Sequence, residues 1–546
     1  MIHIQRIGKR GFPFLWVMLF MGLIGLMAAV AIPQFSAYRQ RGYYPSQSST
    51  SKYTLAPPQQ VLLSESPTFR GTPDFNTEEY DRIYENRFKD ASQNPLSTFS
   101  IDVDTASYSN VRRFIRGNQM PPKDAVRIEE MINYFNYDYP QPQGEHPFSI
   151  ITEISQCPWN PQNRLIHIGL QGKSLDYTHL KSSNLVFLID SSGSMTPNNK
   201  LPLLKKAFRL LLDQLSHQDR VAIVTYAGSA GLVLPSTPAS QKDRILSAMD
   251  NLRAGGCTAG GAGIKLAYKV AEDNLIEGGN NRVILATDGD FNVGVSSTGD
   301  LVRLIEEKRE YGIFLTICGF GMGNYKDGRM EQTSNAGNGN YFYIDNIMEA
   351  QKVFVNDMRA TLFTIAKDVK IQIEFNPAKV KAYRLIGYEN RVMANEEFND
   401  DRKDAGELGA GHTVTALYET VPAGSSLEVM KTDELKYQEN RIKDDASVRR
   451  EMMTIKFRYK PPREDMSKLI KKPVPDEYIT LNEASDNFRF SAAVAGFGML
   501  LRDSKFKGNL TYQEVITLAK NSKGKDEHGY RSEFINLVKT CALLGR

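Results

Sequence analysis

Two runs of unbroken apolar residues, 185–189 and 283–286, each lead to a carboxylate, Asp190 and Asp288. A strand with one wet face alternates polar and apolar residues, whereas an unbroken apolar run suits a strand buried on both faces of a parallel sheet. Strand-like and helix-like stretches alternate from 184 to 363. After the first strand come a helix at 201–215, a strand at 220–226, a hairpin-like 231–235 and a helix at 241–252. A glycine-rich loop from Gly255 then opens another helix, followed by a strand at 282–286, a helix at 300–310, strands at 313–318 and 340–344, and a helix at 348–363. This order predicts an α/β fold built on a doubly wound sheet. Open sheets of this kind bind ligands beyond the carboxyl ends of their strands, so Asp190 and Asp288 are expected at one functional edge.

The first run feeds Asp190-Ser-Ser192-Gly-Ser194, which puts one carboxylate and two hydroxyls on a single turn. The glycine-rich loop places a third hydroxyl, Thr258, at a helix entrance, and glycines there allow close backbone approach. Hard oxygen donors without His or Cys suit Mg2+, or Ca2+ or Mn2+, rather than zinc. The competing reading is a Ser/Gly-rich turn that caps the next helix. Asp-x-Ser-x-Ser with a separate Thr and a separate Asp resembles the metal-ion-dependent adhesion site of the von Willebrand factor type A domain. That resemblance implies direct coordination by Ser192 and Ser194, with Thr258 binding directly or through water. Asp190 and Asp288 would act largely through water, and an acidic side chain of a protein partner would fill the remaining position. Two carboxylates nearly neutralise the ion while neutral hydroxyls leave it electrophilic. Cys257, beside Thr258, reads as a small packing residue.

Residues 12–37 carry no charge and are long enough to span a bilayer, and Arg6, Lys9 and Arg10 precede them. The positive-inside tendency predicts an inner-membrane, single-pass chain with its bulk in the periplasm. Lys9-Arg10-Gly11-Phe12, with Gly25 and Pro33 in register, resembles the start of type IV pilins, which are cut between Gly and Phe. The resemblance implies processing at Gly11/Phe12 and association with type IV pilus-like machinery. Trp16 departs from it, because pilins carry Glu at that place for assembly.

The expected organisation is a membrane segment at 1–41, a flexible linker at 42–95, an N-terminal flanking domain at 96–183, the type A domain at 184–363 and a C-terminal flanking domain at 364–546. Residues 42–76 are rich in Ser, Pro, Gln and Tyr, and 76–91 read as one charged helix. Strand patterns at 148–154 and 164–169 precede the type A domain; patterns at 369–375, 380–386, 413–418 and 452–459 follow it. Each set is too small alone, so a β-sandwich with the α/β domain inserted into it is expected, with helices beyond 482. The flanks resemble those of a family of bacterial envelope proteins that carry type A domains.

The function favoured is a non-enzymatic, metal-dependent protein-binding module. Its rival is a metal-assisted hydrolase using the same ion or the pair Asp102 and Asp104, which follows an Asp-x-Asp pattern similar to haloacid-dehalogenase-type phosphatases. None of the seven histidines lies in His-Glu-x-x-His and no Gly-x-Ser-x-Gly is present, which disfavours catalysis. Gly319-Phe-Gly-Met-Gly323 lacks the Lys-Ser/Thr of a phosphate loop and reads as a turn. A net charge of +4 over 546 residues, with no dense basic block, argues against nucleic acid. Four cysteines without a CxxC form neither a zinc site nor a disulfide framework.

Overall fold

The computed structural model describes residues 78–175, 181–256, 260–289, 298–323, 325–428, 436–437 and 442–545. Gly11, Phe12, the apolar run 12–37, the stretch 42–76, Cys257 and Thr258 lie outside the described residues. Among those described, no helix is long and apolar enough to cross a membrane.

The chain first lays down β1 (Lys89–Asp90), β2 (Leu96–Ser100), α1 (Ala106–Arg116), α2 (Ile128–Asn133), β3 (Phe148–Gln156) and β4 (Arg164–Gly172). The α/β unit opens with β5 (Ser183–Asp190), α3 (Leu201–Leu212), β6 (Arg220–Tyr226), β7 (Ala230–Pro238), α4 (Lys242–Asn251) and α5 (Gly260–Asp273). It continues through β8 (Asn280–Thr287), α6 (Thr298–Glu310), β9 (Ile313–Phe320), α7 (Asp327–Ala336), β10 (Tyr341–Ile344), α8 (Ile347–Gln351) and α9 (Met358–Leu362). Six strands follow: β11 (Thr364–Phe375), β12 (Val380–Ile386), β13 (Gly406–Gly409), β14 (Thr413–Pro422), β15 (Glu451–Lys460) and β16 (Lys468–Pro475). The helices α10 (Asp486–Arg502), α11 (Tyr512–Asn521) and α12 (Tyr530–Leu544) end the chain.

The α/β unit is a sheet of order β10-β9-β8-β5-β6-β7, parallel except for the edge strand β7. Every residue of β5 is buried, because its side chains feed two cores in alternation. Leu185, Phe187 and Ile189 pack with α3 and α4, and Val186 and Leu188 pack with α5 and α6. That double burial is the physical reason for the unbroken apolar run. With β6 on one side of β5 and β8 on the other, the strand order reverses at β5, and its carboxyl end is the crevice of the sheet.

Strands from both sides of this insertion share sheets. One sheet runs β1-β12-β14-β4-β3, in which β4 from before the insertion pairs with β14 from after it. In the other, β11 pairs with β13, β15 and β2, and β16 closes the edge. Between them Ile166, Ile168, Leu385, Tyr418, Ile373 and Phe457 belong to a common core. The other face of the first sheet, through Leu165, Ile386 and Leu417, is covered by α1, α2 and the terminal helices. The 17-residue α10 is buried over most of its length, which accounts for its apolar sequence.

Three expectations are corrected. Residues 78–88 form no helix. Their polar groups bond to distant partners instead of to the next turn: Ile83 N–H to Asp124 Oδ1 at 2.9 Å, Asn86 Nδ2 to the Gly387 carbonyl at 2.8 Å, and Arg113 to Glu78 at 2.8 Å. The linker therefore does not extend to 95. The helix expected at 348–363 is broken between α8 and α9 by a π-helical turn at 352–356. There the Asp357 amide donates to the Lys352 carbonyl at 2.8 Å, while the Lys352 ammonium pairs with the Asp357 carboxylate. Finally, α7, β13 and β16 were not anticipated.

Candidate metal-ligating site at the sheet edge

The register of β5 with β8 sets Ile189 opposite Ala286, so the next residues bring Asp190 and Asp288 to the same edge on neighbouring strands. Both side chains belong to fully buried residues. Asp190 Oδ1 accepts the Ser192 amide at 2.8 Å, which curls the turn back on itself. The Ser192 and Ser194 hydroxyls then lie 2.9 Å apart. Ser192 is buried and Ser194 half-buried, so the pair sits at the rim of the crevice.

The glycine-rich loop is tied to this turn by backbone bonds. Gly193 N–H donates to the Gly256 carbonyl at 3.1 Å, and Gly255 N–H donates to the Ser191 carbonyl at 2.8 Å. Gly256 adopts φ of +86°, a conformation that favours glycine. The loop continues into Cys257 and Thr258, outside the described residues, and α5 begins at Gly260. Four of the five sequence-derived residues are thus described, and all four lie at the ends of β5 and β8.

Burial pushes the Asp190 carboxyl up to about 6; bonds from Ser192 hold it down, and the Asp288 charge adds to the rise. Asp190 Oδ2 is buried without a hydrogen-bond partner of good geometry. The Tyr226 hydroxyl beside it helps hold the carboxyl down, but a buried carboxylate oxygen so weakly satisfied is costly and is a group a cation can satisfy. Two carboxylates and two facing hydroxyls supply only hard oxygen donors, the chemistry of Mg2+, Ca2+ or Mn2+ sites. The residues present therefore fit a divalent ion. Lys200, at the mouth of α3, is a participant that sequence reasoning missed. Its ammonium lies 2.8 Å from Asp288 Oδ2, and the residue is 5 % exposed.

A second acidic cluster stands apart from this edge. Asp102, Asp104 and Glu331 bring carboxylate oxygens within 4.8 Å of one another, beside a cavity of about 210 Å3. A guanidinium already occupies their midst: Arg391 reaches Asp102 and Asp104 at 3.1 Å each and Glu331 at 3.5 Å. Burial raises the Asp104 carboxyl well above its ordinary range, with the Asp102 charge adding to the effect. The Tyr341 amide donates to Asp104 Oδ1 at 2.8 Å, and the Asp104 amide donates to Asp102 Oδ1 at 2.9 Å. These acids hold backbone and arginine in place at the seam between the α/β unit and the sandwich. Arg127 extends the same seam, pairing with Glu331 at 2.8 Å and Asp327 at 2.6 Å. Arg112 does likewise with Asp345 and Glu349.

Comparison with known proteins divides the chain into three matched segments. Residues 184–356 match the family described as von Willebrand factor type A domain, residues 74–167 match one described as von Willebrand factor, and residues 360–544 match the C-terminal family of uncharacterized protein YfbK. The chain is 42 % identical over 509 residues to the uncharacterized protein YfbK of Escherichia coli strain K12, covering 90 % of this chain and 88 % of that one. It is 24 % identical to the magnesium-chelatase 67 kDa subunit of Chlorobaculum parvum over 37 % of each chain. Among solved structures, a von Willebrand factor type A protein from Catenulispora acidiphila is similar at 16 % identity and a TM-score of 0.41, over 74 % of this chain and 92 % of that one.

Proposed function

The chain belongs to the YfbK family of von Willebrand factor type A domain proteins, and from that premise we propose that it is a non-enzymatic, metal-dependent protein-binding module. Its binding point is the turn at 190–194 with Thr258 and Asp288. The observation that carries this reading is the buried Asp190 Oδ2, which accepts no hydrogen bond of good geometry, beside two facing hydroxyls and a second strand-end carboxylate. Asp190, Ser192, Ser194, Thr258 and Asp288 would hold the ion; once bound, it supplies a Lewis-acidic position for a carboxylate of the partner. The protein's own part is positional. The parallel pairing of β5 with β8 aligns the acids, the Ser192 amide fixes Asp190, and backbone bonds hold the glycine loop against the turn.

The charge-free run at 12–37 behind three basic residues supports a place in the inner membrane, with the binding edge displayed on the periplasmic side. A hydrolase reading draws on Asp102, Asp104 and Glu331. The Arg391 guanidinium shared by all three favours a structural role for them.

Capture experiments on envelope extracts test the proposal. The full chain in Mg2+ should retain a partner that is lost both with chelator and with Asp190→Ala. Capture indifferent to both treatments refutes metal-dependent binding.

A further inference from the structure

Lys200 breaks two helix rules at once. It occupies the position before α3, where a short side chain with an acceptor oxygen is favoured, and no side-chain cap is made there. It also sets a positive charge at the positive end of the helix dipole. Its side chain is nevertheless buried, and its ammonium rests on Asp288. The path it takes is built for it. A Cβ on Gly321 would fall 2.2 Å from Lys200 Cε and 2.5 Å from Cγ, and Gly321 holds φ of +78°. The Tyr343 hydroxyl donates to the Gly321 carbonyl and pins the turn. Thus the glycine-rich segment after β9 acts as a slot that guides a lysine stem to the end of β8.

We propose that Lys200 is a resident cation of the site, which weakens binding of a divalent ion on its own and makes binding depend on an anionic ligand. This rests on the metal-binding reading of the 190–194 turn and names the control on it. Among the described residues, two carboxylates and one ammonium leave the edge with a single negative charge. A divalent ion reverses that to a single positive charge, and one carboxylate from a ligand restores neutrality. Without Lys200 the two aspartates alone would neutralise the ion, and the ligand's charge would be dispensable. Like charges held close in a buried site repel strongly enough to shift affinity by an order of magnitude.

Mn2+ binding to the full chain, followed by the loss of the free-ion electron paramagnetic resonance signal, tests this with and without sodium acetate. Lys200→Met should bind Mn2+ alone about tenfold or more tightly than wild type. Acetate should tighten Mn2+ binding by wild type and leave that of Lys200→Met unchanged. Gly321→Ala provides a second route, since its methyl would displace the lysine stem while leaving the aspartates and hydroxyls intact. It should tighten Mn2+ binding in a chain whose circular dichroism matches wild type. Equal or weaker binding by both variants, or the same acetate response in wild type and Lys200→Met, overturns the proposal while wild-type binding lost in Asp190→Ala keeps the metal site standing. If neither wild type nor variants bind Mn2+, the metal reading itself falls, and this inference with it.

Discussion

Replacing Arg391 by Met removes the cation shared by three carboxylates and keeps the length of its stem. Glu331 retains Arg127 at 2.8 Å, but Asp102 and Asp104 have no other ion-pair partner among the described residues. Their side chains are 1 % and 2 % exposed, so the guanidinium is their main charge compensation. Breaking a buried pair in this way costs about 3–5 kcal/mol, and two stranded acids place the variant toward the upper part of that range. Equilibrium urea unfolding at neutral pH, followed by circular dichroism, should show the loss as a lower midpoint with little change in slope. The pH dependence carries the same logic. Asp104 and Glu331 titrate above their ordinary values because of burial. The folded state therefore binds protons more readily than the unfolded state, and this contribution is present at acid pH and lost as pH rises through the folded pKa. Acidification should narrow the gap between Arg391→Met and wild type. A deficit under about 1 kcal/mol, the scale of an exposed pair, or one unchanged between pH 7 and pH 5, refutes the account of the seam.

Two other predictions follow from the flanking domain. His167 lies between the Tyr139 hydroxyl at 2.6 Å and the Ser491 hydroxyl at 3.0 Å, and burial lowers its pKa to about 3. With the folded value below the unfolded one, its share of stability is full above about pH 6.5 and drains away toward pH 3, at up to about 1.4 kcal/mol per pH unit. An imidazole 15N titration should find it neutral at pH 5; a midpoint near 6.5 contradicts its buried setting. Deleting residues 184–363 should leave the sandwich folded, because none of its fully buried core residues comes from the insertion, which adds only the partly buried Phe363. It should be weakened by the loss of Asp327, Glu331, Asp345 and Glu349 from Arg112 and Arg127, and substituting those two arginines by Met should restore part of the loss. A remnant without cooperative unfolding refutes an independent sandwich.

The elements that sequence reasoning located are those whose pattern is local. The strands β6 and β12 match their expected bounds, and the edge bearing Asp190 and Asp288 follows from two apolar runs. The elements it missed are specified from afar. In α7 the buried residues include Asp327, Glu331, Thr333 and Ser334, so no apolar stripe marks the helix, and its acids are matched by Arg127 and Arg391, far away in sequence. β16 carries Lys471, Lys472, Pro473 and Pro475, which read as loop but are tolerated on the edge strand it forms. The segment 78–88 has helical composition, yet its polar groups are claimed by Asp124, Gly387 and Arg113. Lys200 escaped notice because a lysine near a helix start is unremarkable until Gly321 is seen to make room for it.

Anomalous scattering from crystals of the full chain soaked in Mn2+ tests the central claim most directly. The account predicts one strong peak at the carboxyl ends of β5 and β8, in contact with Ser192 and Ser194 and absent from Asp190→Ala crystals. A peak instead among Asp102, Asp104 and Glu331, or no peak at the 190–194 turn at saturating Mn2+, contradicts it.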